Sequence, residues 1–98
     1  MTKINIVYDD MYCDADIVAV PDEIADHLGD LVSMFLDWSP PENDNDYWKT
    51  INGKKYLSIE TIGFVKWLNN YHCKTMKEKA YIVVQNTNYC SDYNIIEF

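Results

Sequence analysis

Four carboxylates, Asp9, Asp10, Asp14 and Asp16, fall within eight residues at the end of a short apolar run. Oxygen ligands this close together suit Mg²⁺, and Mg²⁺ suits phosphoryl transfer. Such chemistry also needs a Lys or Arg to meet the transferred charge, and none stands nearby. The spacing also lacks the alternating ligands and central Gly of a calcium loop. Cys13, His27, His72, Cys73 and Cys90 have the donor atoms for zinc. Only His72 and Cys73 are adjacent, however, and neighbours on a helix point about 100° apart, so no close pair such as Cys-x-x-Cys marks a site. A nucleophilic Cys–His pair would need Cys13 or Cys90 to meet His27 or His72 in space, with a third group orienting the base. These patterns lead us to expect neither an enzyme nor a cofactor.

The carboxylates themselves remain. From Met1 to Trp48 twelve acids face Lys3 alone, a net charge of −11. From Lys49 to Phe98 seven lysines face Glu60, Glu78, Asp92 and Glu97, a net of +3, which gives −8 for the chain. That balance argues against direct contact with nucleic acid or an anionic membrane, because both require clustered Lys and Arg. A charged partner is therefore expected to be a basic protein. The acids lie on three segments: the connection carrying Asp9, Asp10, Asp14 and Asp16; a helix face carrying Asp22, Asp26, Asp30 and Asp37; and a loop carrying Glu42, Asp44 and Asp46. Tyr47 and Trp48, beside that loop, are expected as exposed aromatic anchors. Trp38 and Trp67 end apolar stripes and are expected in the core.

The elements that must position these groups are readable from periodicity. Lys3 to Tyr8 alternates as a strand, and Ile17 to Val20 reads as a second, joined by the acidic connection 9–16. Pro21 to Trp38 reads as one amphipathic helix, with Ile24, Leu28, Leu31, Phe35 and Trp38 on its apolar stripe, joined by Ala25, Val32 and Leu36. Asp22/Asp26 and Asp26/Asp30 are like charges one turn apart, each weakening the helix by roughly 0.2–0.5 kcal/mol. Gly29 weakens it further, marking either the close approach of another backbone or simple tolerance. Ser39 to Asp46, with two prolines, reads as an exposed acidic loop. Asn52-Gly53 marks a tight hairpin turn between two short strands. A second helix is expected from about Ile59 to His72, capped by Ser58, burying Ile62, Val65, Leu68 and either Trp67 or Tyr71. Ala80 to Asn86 reads as a strand, Asn86 to Tyr93 as a polar hairpin connection, and Ile95 to Phe98 as an edge strand pairing back onto it.

This order predicts one α+β domain over residues 1–98, with two helices packed on a mainly antiparallel sheet. The N-terminal residues do not read as a secretory signal, no apolar run approaches the ~18–20 residues of a membrane span, and three widely spaced cysteines fit reduced thiols. A cytoplasmic location is expected, in a host cell if the chain is phage-encoded. The absence of Arg and abundance of Asn, Ile, Tyr and Lys are what AT-rich codons favour, as in a low-GC bacterium or its phage.

In size, charge, composition and lack of a catalytic motif, the chain resembles the small acidic inhibitors carried by phages and mobile elements, including anti-CRISPR proteins and other nucleic-acid mimics. The resemblance implies a non-enzymatic, stoichiometric inhibitor that occupies the nucleic-acid channel or PAM-reading surface of a bacterial defence nuclease. An immunity protein neutralising a cognate basic toxin, or a small cytosolic interaction module, is the alternative expectation. The lysine-rich second half restricts any mimicry to one face.

Overall fold

The computed structural model describes residues 1–7, 14–41, 43–57, 60–88 and 90–98. Among them the chain runs β1 (Thr2–Val7), β2 (Ala15–Val20), α1 (Asp22–Ala25), α2 (Leu28–Asp37), β3 (Trp48–Ile51), β4 (Lys54–Leu57), α3 (Thr61–Tyr71), β5 (Tyr81–Thr87) and β6 (Asn94–Glu97). The class is α+β, as the sequence predicts.

The main sheet has the order β5-β2-β1-β6. β1 and β2 form the expected antiparallel hairpin, in register from Thr2 opposite Val20 to Val7 opposite Ala15. Side chains alternate across a strand, so Ile4, Ile6, Val18 and Val20 face the helices and share their core. Asn5, Val7, Ala15 and Ala19 line the opposite face and are buried as well.

β6 departs from expectation: it pairs with β1, in parallel, instead of with β5. β5 lies at the far edge, antiparallel to β2, and therefore runs parallel to β6. A hairpin cannot join parallel strands, and residues 90–93 of the connection lie against the face of the sheet opposite the helices. Asn5 holds it there. Its amide donates to the Cys90 carbonyl at 2.8 Å and the Tyr93 carbonyl at 3.1 Å, and its Oδ1 accepts from the Cys90 N–H at 2.9 Å. Asn69 plays a similar part on α3, exchanging two hydrogen bonds with the Ala80 backbone at the start of β5.

The predicted helix 21–38 is interrupted. α1 is one turn, and His27, with φ −113° and ψ 11°, breaks the run before α2. The interruption falls where Asp26 lies one turn from both Asp22 and Asp30 and Gly29 weakens the following turn. The apolar stripe survives it, because Ile24, Leu28, Leu31, Val32 and Phe35 all reach the core, while Leu36 is exposed. In α3 the buried face is Thr61, Phe64, Trp67 and Leu68, whereas Ile62 is 43% exposed. Phe64 and Trp67 bury more apolar area than Ile62 and Val65 would, and that fixes the helix rotation. Ser58 and Ile59 lie outside the described residues. β3 and β4 form a separate hairpin, with Asn52 and Gly53 both at positive φ, as a type I′ turn requires.

Two glycines behave oppositely. Around Gly29 nothing lies within 4 Å of where a Cβ would stand, so this residue is tolerated and marks no close approach. At Gly63 the Asp46 carbonyl oxygen and the Tyr47 ring are both 3.1 Å from that position. Gly29→Ala is expected to stabilise the protein by up to about 1 kcal/mol. Gly63→Ala should lower stability by about 1–2 kcal/mol despite its better helix propensity, and urea titration of both variants checks the opposite signs. Asn5→Ala strands the Cys90 N–H and is expected to cost about 2–3 kcal/mol, with accelerated hydrogen exchange at the Cys90 amide.

Candidate functional site

The predicted acidic groups separate into three fates. Asp9, Asp10 and Glu42 lie outside the described residues, and Asp14 is exposed. Asp16 is buried, which corrects its reading as a docking group. Its Oδ2 accepts from the Thr61 hydroxyl at 2.5 Å and its Oδ1 from the Asn86 N–H at 3.0 Å, so it ties β2 to β5 and to the first residue of α3. Asn86 presents that N–H from a left-handed backbone, φ 54°, beside irregularities in the β2–β5 register. Asp14 precedes β2 and Asp22 follows it, so roughly 17 Å or more of strand separates them. These acids do not form one continuous face.

Asp44 and Asp46 share one counter-charge within the protein. The Lys66 ammonium donates to Asp44 at 2.7 Å and to Asp46 at 2.8 Å and stands 5.6 Å from the centre of the Tyr47 ring. The hydrogen bond from Lys66, helped by the Asp46 N–H, holds the Asp44 carboxyl below its ordinary range. The same carboxylates raise the Lys66 ammonium well above its usual value. Tyr47 is 2% exposed and meets Trp38 edge-on at 5.0 Å, so it is a core residue and not the surface anchor expected. Burial pushes its phenol upward. Trp48 is half-buried, and its indole N–H donates to the Pro41 carbonyl at 2.9 Å.

What stays open is the outer strip of α1 and α2. Asp22 is exposed, bonded by the Thr2 hydroxyl at 2.6 Å and by the Met1 ammonium at 3.2 Å, which together hold its carboxyl below the usual range. Glu23, Asp26, Asp30 and Asp37 are exposed, and no cation among the described residues pairs with them. Asp30, Met34 and Asp37 recur at helical spacing on one side of α2. That side leads into an open apolar groove of about 430 Å³, lined by Met34, Asp37, Trp38, Trp67, Tyr71 and His72. The sequence reading missed this groove. Its only local signals are Met34-x-x-Asp37-Trp38 on α2 and Trp67-x-x-x-Tyr71 on α3, and neither says that the two helix ends converge.

The metal candidates are not brought together. Among the described residues no three of His, Cys, Asp and Glu lie close enough to hold a metal ion. Cys73 is buried and its thiol is pushed up by that burial. Cys90 sits in the connection that Asn5 holds, His27 at the helix break, and the His72 ring packs 4.5 Å from the Trp67 ring. Cys13 lies outside the described residues.

The Lys66 clamp has a predictable pH response. Asp44 has a lowered folded-state pKa, so its contribution is present above the unfolded value of 3.8 and is lost as pH falls through the lowered one. Lys66→Met is expected to lower Tm by about 2–5 °C at neutral pH and to flatten the loss of Tm on acidification, as thermal denaturation from pH 7 to 2 would record. Searches against protein-family models, curated proteins and solved structures found no match, so the helical strip and its groove stand on their own geometry.

Proposed function

We propose that the chain is a non-enzymatic protein that binds a basic protein partner through the outer strip of α1 and α2, and that the partner is a bacterial defence nuclease whose nucleic-acid surface it occupies. The observation that carries this reading is the exposed row Glu23, Asp26, Asp30 and Asp37, which has no cation of its own among the described residues. Lys66 pairs with both Asp44 and Asp46 and offsets one of their two charges, and Asp16 is buried, so among the described residues most of the exposed carboxylates without an ion pair lie along α1 and α2. A row of fixed carboxylates beside low-dielectric protein steers a positively charged groove toward it and offers the charge that phosphates would. Within α2 the row is Asp30 and Asp37, about 10 Å apart along the axis, and Glu23 and Asp26 belong to α1 and its cap.

Three of the eight lysines are engaged elsewhere. Lys66 is consumed on α3, Lys49 pairs with Glu60, and the Lys79 ammonium donates to the carbonyls of Cys73 and Lys74. None of these pairs with the strip, and Lys77 lines the hollow beside Asp22 and Glu23 at its N-terminal end.

The test is DNA cleavage by a panel of guide-loaded defence nucleases in the presence of the purified protein. Inhibition of at least one nuclease at a one-to-one ratio, relieved by added salt, is expected. Changing Asp22, Asp26 and Asp30 together to Lys is expected to weaken that inhibition by about a hundredfold or more. Absence of inhibition across the panel, or inhibition unchanged in the triple variant, overturns the proposal.

A further inference from the structure

The groove at the end of the acidic strip has electrostatic features that an apolar hollow alone would not. α2, of ten residues, and α3, of eleven, both finish there: Asp37 and the capping residue Trp38 from one, Tyr71 and the capping residue His72 from the other. A helix C-terminus carries a partial negative charge that a Lys or Arg in the last turn usually offsets. Neither helix has a basic residue in its last turn, and α2 places a carboxylate, Asp37, there instead. Two negative helix ends and a full negative charge therefore converge on one hollow.

The aromatic rings add a third attraction for a cation. Trp38 and Tyr71 stand 5.4 Å apart at 64°, forming a corner, and Trp67 lies beneath, 6.5 Å from Trp38. Tyr71 is 57% and Met34 52% exposed, so the corner opens outward. The faces of such rings attract cations within about 6 Å of the centroid, and a planar guanidinium can stack on them while its edge donates to a carboxylate. An ammonium is a more strongly hydrated point charge and gains less from stacking.

We infer that this groove is an arginine-reading pocket: the guanidinium of a basic partner stacks in the Trp38–Tyr71 corner and donates to Asp37, with its aliphatic stem along Met34. This rests on the reading of α1 and α2 as a surface for a basic protein and names the side chain that anchors it. Steering belongs to Asp22, Glu23, Asp26 and Asp30, and anchoring to the groove.

The experiment is a ¹H–¹⁵N NMR titration of the intact protein with N-acetyl-arginine methylamide, with the citrulline analogue as a neutral isostere and the lysine analogue as a second cation. Arginine is expected to shift the indole N–H signals of Trp38 and Trp67 and the amides of Asp37 and Tyr71 in a saturable manner. Its affinity should exceed that of citrulline by about fivefold or more and also exceed that of lysine. Asp37→Asn and Tyr71→Leu, both at exposed positions, should each reduce binding severalfold while leaving the rest of the spectrum in place. Equal binding of citrulline, equal binding of lysine, or no saturable shift overturns the inference. The two readings fail separately. Changing Asp22, Asp26 and Asp30 to Lys leaves Asp37 and the rings intact, so arginine binding retained without any inhibited nuclease defeats only the functional proposal. Nuclease inhibition without arginine binding defeats only the pocket.

Discussion

Phe35 is the point on which the arrangement of the helices depends. Its ring lies 5.4 Å from Phe64, 5.5 Å from Trp67, 6.4 Å from Trp38 and 6.2 Å from Phe98, so one side chain touches α2, α3 and the residue after β6. Aromatic rings at these separations add attraction beyond the area they bury. The cluster sets how α2 rotates, and that rotation turns Asp30, Met34 and Asp37 outward. It also brings the C-terminal end of α2 to that of α3, which forms the groove. The surface chemistry follows from the packing beneath it, since a helix held this firmly can keep repelling carboxylates on its outer side.

The sequence announced those features whose signals are local. Ile4 and Ile6 alternate along β1, Asn52-Gly53 closes β3 onto β4, and the stripe from Ile24 to Phe35 finds the core even across the break at His27. Features set by distant neighbours were hidden. Asp16 looked like one more surface acid because Thr61 and Asn86, its partners, lie 45 and 70 residues away. Tyr47 looked exposed beside its acidic loop until Lys66 drew Asp44 and Asp46 against α3 and covered it. Ile62 and Val65 made as good a stripe with Leu68 as Phe64 does, and the contacts of Phe64 with Phe35 and Phe98 decide between them. For the site, the α2 carboxylates were legible one by one, whereas the meeting of two helix ends was not.

Polarisation along the chain is only partly preserved in space. An acidic first half and a lysine-rich second half would make a simple dipole if they stayed apart, but Lys66 crosses back to pair with two of the acids and offsets one of their charges. The cluster of Lys66, Asp44 and Asp46 thus carries a net −1 in place of −2, and among the described residues most of the exposed carboxylates without an ion pair lie along α1 and α2. Total charge is a poor guide to a binding surface for this reason, and the position of each counterion is a better one.

The parallel pairing of β1 with β6 also has a kinetic meaning. Asn5 lies opposite Ile95, so closing this edge of the sheet joins residues about ninety positions apart. Contacts this distant in sequence slow the search for the native state. The helices and the two hairpins can form from near neighbours, which makes the clasp around Asn5 a late event. The long reach of the Asn5 clasp thus makes residues 94–97 a condition for completing a sheet whose central hairpin is built from residues 2–20.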